Sequence, residues 1–328
     1  MFDHWQRFSW LELLFSPLAG ALRLLLAPGS RTYWPYLLVS LAVAAVFWYR
    51  EKQTSPHLPA ELDVFSRATW TSQSAWNDYA LVSINALLFL YFLEALLPSG
   101  TRWVPTIAAQ LSIGDEPLLS LSPLVSSILL AGTLFVVDDF LRFNAHRLEH
   151  RVAFLWELHK VHHSATVLNF VTAERQHPVS LFLTSVLLIS GAVIVNLIFV
   201  KLFGRAIKPA YWIGANVFWV ASNFLASALR HSPVWISFGP NLEQWLISPA
   251  QHQIHHSDKP EHFDKNYGST LAIWDRVFGS LYRTTSTREP LRFGLGAENV
   301  ELARLRDLYL RPLRRIVTRV NAPRTRCS

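Results

Sequence analysis

Residues 124–163 read LVSSILLAGTLFVVDDFLRFNAHRLEHRVAFLWELHKVHH. An apolar run runs into five histidines, and from Asp138 onward no Gly or Pro interrupts it. The spacing predicts a helix that leaves a membrane, continues into water and carries the first histidines there. His146 and His150 form an HxxxH pair, and His159, His162 and His163 form an HxxHH triplet. The triplet recurs as His252-Gln-Ile-His255-His256. Two such triplets in a chain of this histidine content arise by chance on the order of 10⁻⁴ of the time. Residues three and four apart share one helix face, so each cluster aims its imidazoles at a common target. Neutral imidazole ligates iron, zinc or copper. For both clusters of residues 146–163 to face one centre the helix must bend between them, at a point the sequence does not mark.

The composition agrees with a membrane setting. Of 328 residues 51% are hydrophobic and only 16% charged, against roughly a quarter charged in soluble domains. Mean hydropathy is +0.22. Thirteen Trp and 21 Phe suit bilayer interfaces. The net charge of +7 fits cytoplasmic loops and anionic headgroups better than nucleic acid, since no reader motif accompanies it. One cysteine, Cys327, excludes an intrachain disulfide and a thiolate-rich metal site. Metal ligands must therefore be nitrogen and oxygen.

Five spans are expected: Tyr33 to Tyr49, Tyr79 to Leu97, Leu118 to Val137, Val179 to Phe203, and Tyr211 to about Leu229. The start, MFDHWQRFSW, does not read as a secretory signal, and Leu11 to Leu26 reads as an interfacial piece. The expected fold is all-α, a multi-span integral membrane helical bundle with a cytoplasmic helical cap that carries the histidine clusters. Two spans separate the first clusters from the last, so all emerge on one face. Arg density in 142–175 and after Arg230, against a lone Arg102 in the 98–117 loop, puts that face in the cytoplasm. The stretch after Leu302 reads as a basic amphipathic helix on the membrane surface, or as a solvated tail.

The eight clustered histidines exceed the four that one tetrahedral zinc needs. Two metals would have four or five imidazoles each, with a position left open for oxygen or substrate. Soluble di-iron sites use two Glu-x-x-His pairs, and this chain offers only Glu174-Arg-Gln-His177. The protease motif HExxH is absent, because Glu149 sits beside His150 and off the ligand face. A metal transporter would place ligands inside the bilayer near broken helices, whereas these lie outside the spans. A bis-histidine haem protein would use facing single histidines rather than triplets.

The chain resembles the fatty acid hydroxylase/sterol desaturase superfamily of integral membrane di-iron oxygenases. The matching residues are Asp139-Phe140, His146-Arg-Leu-Glu-His150, Leu155-Trp156-Glu-Leu-His159-Lys-Val-His162-His163-Ser164, His252-Gln-Ile-His255-His256-Ser257, Asn266-Tyr267-Gly268, Trp274-Asp275-Arg276 and Phe278-Gly279. The resemblance covers about Leu118 to Tyr282. It implies two irons held by these histidines, dioxygen as oxidant, a lipid substrate from the bilayer, and a separate redox partner of the cytochrome b5, ferredoxin or flavin-reductase kind. Hydroxylation, desaturation and ether cleavage all occur within the superfamily. Three regions follow: 1–117 as an N-terminal membrane region, 118–285 as the histidine-box oxygenase domain, and 286–328 as a basic amphipathic tail. The resemblance adds His231, which follows a helix containing Asn223, as a ligand. It also adds His177, in a His-Pro before the fourth span, as a ligand, a support for one, or a helix-start residue.

Other residues keep two readings. Asp138 and Asp139 stand two turns before His146, to hydrogen-bond an imidazole or, for Asp138, to pair with Arg142. Asp275 and Arg276 brace the last cluster or pair with each other. Glu149, Glu157 and Glu174 orient histidines or bind metal, with a surface position the plainer reading for Glu149 and Glu157. Asn266 to Gly268 reads as a turn, His262 as solvated, and His4 and His57 as without role.

Overall fold

The computed structural model describes residues 22, 24–54, 57–88, 100–113, 116–204, 208–213, 215–226 and 228–321. Their helices are α1 (Trp34–Thr54), α2 (Arg67–Thr71), α3 (Gln73–Leu88), α4 (Gly100–Gln110), α5 (Pro123–Arg151) and α6 (Ala153–His163), followed by α7 (Pro178–Phe203) and α8 (Val217–Ala226). Short helices α9 (Gly239–Leu242), α10 (Pro249–His255) and α11 (Ile273–Phe278) precede the terminal α12 (Leu305–Asn321). The one sheet among the described residues is a two-residue antiparallel hairpin, β1 (Tyr211–Trp212) with β2 (Ala215–Asn216), in the register Tyr211↔Asn216. The protein is mostly helical, as the sequence predicts. Most of Leu11 to Leu26 lies outside the described residues.

The apolar run and the first histidines form one helix. Ser122 caps α5 by accepting from Val125 N, and Pro123 occupies its first turn, where a missing N–H costs nothing. At 29 residues α5 is about 44 Å long, against about 30 Å of bilayer hydrocarbon. The excess length carries His146 and His150 beyond the apolar stretch. The helix ends at Val152, whose φ of −100° and ψ of 114° are extended, and α6 starts at once. This is the bend between the clusters.

The chain returns along α5 as α7, started by Pro178 and stopped at Gly204, whose φ of +90° suits glycine alone. Leu130 on α5 packs against Val195 and Phe199 on α7, with Leu134, Val137 and Phe203 around them. Among the described residues, α5 and α7 are the helices long and apolar enough to cross a membrane. Only 28% and 17% of their apolar windows are buried within the fold, so their apolar surface faces outward. A core helix of a soluble protein would bury most of that surface; lipid is the solvent that suits these two.

The other expected spans differ. α1 has 21 residues but ends in Arg50, Glu51 and Lys52, and Glu51 pairs with Arg288 in the cap. The second falls partly on residues 89–99, outside the described set. Its described part belongs to α3, which buries Asn77, Asp78 and Asn85 against the cap. The 98–117 segment, read as a loop, contains α4. The fifth span is a correction: α8 has ten residues, about 15 Å, and a hairpin precedes it. Asn216 causes the break. Its Oδ1 accepts from Phe218 N to start α8, and its Nδ2 donates to Ala131 O on α5. Apolar composition on either side concealed that polar cap.

The cap packs on two apolar clusters. One joins Ala165, Leu168, Trp235, Ala250 and Ile254 with Leu291 and Phe293. The other joins Ala44 of α1 with Phe170, Leu229, Val234 and Ile236. α12 is a helix, as its pattern predicts; Leu308 packs into the cap, while Leu310, Leu313 and Val317 stay exposed. Leu308 is fully buried with Val161 of α6, Leu81 and Leu302. Arg315 and Arg319 reach Glu157 at 3.5 and 2.9 Å.

Candidate metal centre

Each histidine owes its place to a local device. His146 and His150 lie one turn apart on the last two turns of α5. The break at Val152 turns α6 so that His159, His162 and His163 meet them. α10 is held by a capping box: Ser248 accepts from Gln251 N, and the Gln251 side chain accepts from Ser248 N. Every residue of α10 is buried, including His252 and His255, and His256 closes it. His231 ends a turn at Leu229–His231.

Nine imidazoles gather into two groups. One comprises His146, His150, His159, His163 and His255; the other comprises His162, His231, His252 and His256. Within each group one ligand nitrogen per residue lies within 4.8 Å of all the others. The groups touch: the rings of His163 and His256 stack with centroids 4.7 Å apart. All eight clustered histidines are thus brought together, and His231 with them. His177 is not in either group. Its Nδ1 accepts from Val179 N at 3.2 Å and its Nε2 lies 3.0 Å from Tyr309 O, which makes it the helix-start residue.

Hydrogen bonds select the tautomer. Nδ1 of His146, His162 and His255 lies 2.8, 3.2 and 2.7 Å from the carbonyls of Tyr267, Arg175 and Lys265. His159 Nδ1 lies 2.8 Å from Glu149 Oε2. A proton on Nδ1 leaves the Nε2 lone pair free to ligate. In the five-histidine group all five Nε2 atoms are buried without a hydrogen-bond partner. In the other, the Nε2 atoms face one another at 2.9 to 3.3 Å along His162, His231, His252 and His256. Buried polar atoms without partners are costly, and one cation in each group would take up the facing nitrogens. The donor set, neutral nitrogen without thiolate, fits iron. Burial, aided by the neighbouring imidazoles and, at His231, by Arg31 and Arg230, holds His162, His163, His231, His252, His255 and His256 well below the ordinary histidine pKa. They are neutral at pH 7, the form that binds metal.

Supporting residues lie mostly one bond further out than expected. Asp139 accepts from Thr270 N, Leu271 N and Trp274 Nε1, and Asp275 from Tyr267 N and Gly268 N at 2.8 and 2.7 Å. Both carboxylates hold the 264–275 loop, whose carbonyls at Lys265 and Tyr267 then position His255 and His146. Asp138 pairs with Arg142 at 2.6 Å, the plainer of its two readings. Asn223 faces the Tyr36 hydroxyl rather than a histidine. Arg276 stacks over Trp245 and does not pair with Asp275.

Three residues with a surface reading lie inside instead, and Glu149 takes its other reading, as the partner of a histidine. Glu149 lies inside, between His159 and Ser180 Oγ. Glu157 is 1% exposed, among Lys160, Arg315 and Arg319. His262 is also 1% exposed and lies 3.3 Å from Glu289. Arg175, which no motif spacing singles out, is buried: it reaches Asp78 at 2.8 Å and Ser164 Oγ at 2.8 Å, while its carbonyl meets His162.

A cavity of about 330 Å³ opens beside the histidines. His146, His159, His162, His231 and His252 form one wall, and Leu181, Thr184, Ser185 and Leu188 of α7 another. Arg31, Arg142, Arg230 and Glu174 line it as well. Burial pushes the Glu174 carboxyl up against the opposing pull of Arg31 and Arg142. Burial and Arg31 push Arg230 down to about 9.

The fatty acid hydroxylase family model matches residues 131–280, the stretch that contains every one of the nine histidines. The chain is 30% identical over 160 residues to an alkylglycerol monooxygenase of Caenorhabditis elegans, covering 48% of this chain and 28% of that protein. It is 30% identical over 147 residues to the ornithine lipid hydroxylase OlsE of Rhizobium tropici, covering 45% and 40%. A Dictyostelium discoideum protein provisionally assigned as a methylsterol monooxygenase is 28% identical over 211 residues, covering 64% and 70%. The matched part spans less than a third of the length of the alkylglycerol monooxygenases. No solved structure matches the chain. Residues 131–280, just under half of the chain and the stretch that holds both histidine groups, match the fatty acid hydroxylase family.

Proposed function

We propose that this protein is a membrane-bound, non-haem di-iron oxygenase that hydroxylates or desaturates a lipid. The observation that carries the reading is the convergence of nine imidazoles into a group of five, whose Nε2 atoms are buried without a partner, and a group of four. His146, His150, His159, His163 and His255 would hold one ion, and His162, His231, His252 and His256 the other. Two irons there would supply the electrons and oxidising power for dioxygen to attack an unactivated C–H bond. The chain's own residues do the rest. Backbone carbonyls and Glu149 keep four imidazoles in the ligating tautomer, burial keeps His162, His163, His231, His252, His255 and His256 neutral, and the cavity brings a substrate carbon to the histidine wall.

The superfamily's lipid-acting relatives and the outward apolar faces of α5 and α7 support a substrate drawn from the bilayer. We assign residues 118–285 to the oxygenase unit, 1–117 to an N-terminal membrane region and 286–328 to the tail. Arg density around the histidines supports a cytoplasmic site served by a separate electron-transfer protein.

Anaerobic purification with metal analysis and Mössbauer spectroscopy tests the metal. Two irons per chain with non-haem parameters are expected; haem, or zinc alone in active protein, would sink the reading. Lipidomics of cells carrying His162→Ala tests the substrate class. An oxidised lipid should disappear, and an unchanged profile counts against lipid oxidation.

A further inference from the structure

The cavity beside the histidines is lined by three guanidiniums that the nearby acids neutralise only in part. Arg142 has Asp138 as its partner at 2.6 Å. Arg31 and Arg230 have no such partner. Arg31 Nη2 and Arg230 Nη1 both donate to one hydroxyl, Ser269 Oγ, at 3.4 and 3.5 Å. Arg230 is 6% exposed, and its Nε is buried without any hydrogen-bond partner among the described residues. Two guanidiniums drawn to one neutral oxygen repel each other. Burying them in that arrangement is costly unless an anion joins them. The acids nearby are committed or opposed elsewhere. Both oxygens of Asp139 serve Thr270, Leu271 and Trp274. Glu149 is held by His159 and Ser180. With Arg142 paired to Asp138, Glu174 leaves one uncommitted carboxylate on the wall against two guanidiniums.

The remaining wall is of another kind. Leu181, Thr184, Ser185 and Leu188 fall at i, i+3, i+4 and i+7, so they share one face of α7, a helix whose apolar surface otherwise looks outward. A volume of about 330 Å³ is small for a ligand pocket, enough for a headgroup and the first part of a chain.

We propose that Arg31 and Arg230 form an anion subsite for the substrate's headgroup. The substrate is thus an amphiphile bearing a carboxylate or a phosphate ester, with its hydrocarbon chain along the 181–188 face of α7. Guanidinium forks suit both anions. Arg230 directly precedes His231, and both line the cavity, so a headgroup held there keeps the carbons nearest to it beside the histidine wall. The inference rests on the reading of this cavity as the substrate site.

Equilibrium binding of radiolabelled palmitate to the full-length, iron-loaded protein in neutral detergent tests it, with methyl palmitate, 1-palmitoyl lysophosphatidate and inorganic phosphate as competitors. Palmitate and lysophosphatidate should bind at least about tenfold more tightly than the methyl ester, the range expected of a charge-assisted pair. Arg31→Gln and Arg230→Gln should each erase that preference while leaving affinity for the ester unchanged. Arg292→Gln, at an exposed guanidinium, should keep it. Equal affinity for acid and ester overturns the proposal, as does a preference that survives both variants. Binding of phosphate at millimolar concentration without displacement of palmitate would make the site one for a soluble anion and overturn the lipid assignment. Iron content, measured on each variant, confirms that the metal sites have formed. Should Arg230→Gln fail to fold, Arg31→Gln, on a separate segment, decides the matter. An intact acid preference in a protein that proves to contain no iron would strike the oxygenase reading and leave the anion subsite standing.

Discussion

The carboxylate of Glu149 stands 2.8 Å from Nδ1 of His159 across the bend at Val152. It joins the end of α5 to the start of the second histidine run, and Ser180 Oγ donates to its other oxygen from α7. A carboxylate behind a histidine fixes the ring's tautomer and raises its basicity, and loss of such a partner costs about 10- to 100-fold in metal affinity. Glu149→Ala should weaken iron binding by that amount in chelator competition. Glu149→Gln, which can still accept from Nδ1, should lose less. Equal iron affinity in all three proteins would remove Glu149 from the site.

The two groups of imidazoles predict separable losses. Substitution of His163 by Ala removes a ligand from the five-histidine group, and His252→Ala removes one from the four-histidine group. Each should lower iron content from about two per chain toward about one, and the four-ligand group has less to spare. Metal analysis beside Mössbauer spectra would show which component disappears. Full iron retention in His252→Ala would contradict the grouping.

Where the sequence was legible, a single regular helix was enough to read it. The i, i+4 pair on α5, and the triplets on α6 and α10, follow from spacing alone. What it hid were relations across breaks. Valine is no helix breaker, so Val152 gave no warning; without that bend Glu149 appears to point to solvent, and with it Glu149 meets His159. Asn216 is a cap inside an apolar stretch, and so one apparent span became a hairpin and a ten-residue helix. The basic amphipathic tail shows its charges in the sequence, but its docking on the cap is set by Leu308 and by Glu157 on the opposite helix. Backbone carbonyls as histidine partners, at Tyr267, Arg175 and Lys265, leave no mark in side-chain identity.

Acid should unfold the metal-free protein early. Burial holds the six imidazoles on α6, α10 and the turn at His231 well below the unfolded value of about 6.5. The unfolded chain therefore binds protons below about pH 6.5 that the folded chain refuses, and stability falls as pH falls through that window. Above it the neutral form prevails in both states and the slope vanishes. Thermal unfolding in detergent should show a melting temperature that is flat from pH 7 to 8 and drops steeply below 6.5. Iron should steepen the dependence, because ligation also requires neutral rings. A flat profile down to pH 5 would contradict the buried, neutral assignment.

Asp78 and Arg175 predict a structural loss that reaches the metal. The pair is 2.8 Å apart with both side chains at most 1% exposed, and Asp78 also accepts from Asn169 and Thr172. Removing one partner strands a buried charge, at about 3–5 kcal/mol. Asp78→Ala should lower unfolding stability by that order. It should also loosen His162, whose Nδ1 leans on the Arg175 carbonyl at 3.2 Å. Denaturant titration beside iron analysis reads both effects, and unchanged stability would contradict the buried pair.

Asp275 offers a cleaner separation of positioning from folding. Its carboxylate, raised to about 6 by burial, takes Tyr267 N, Gly268 N and Ser280 Oγ, and so sets the Tyr267 carbonyl that meets His146. Gly268 fits there because it lacks a side chain: a Cβ would lie 2.8 Å from Asp275 Oδ2, from Ile247 Cγ1 and from the Leu271 carbonyl. Gly268→Ala must displace that packing, at about 1–3 kcal/mol or more. Asp275→Asn keeps the volume and loses the charge. It keeps an acceptor for one backbone N–H and turns an NH2 toward the other, so beside a modest loss of stability it should weaken iron in the five-histidine group, because the Lys265 and Tyr267 carbonyls serve His255 and His146 and none of the other four. Mössbauer spectra of Asp275→Asn should show one perturbed iron component and one unchanged. Equal perturbation of both would mean that the loop supports the whole cap rather than one group.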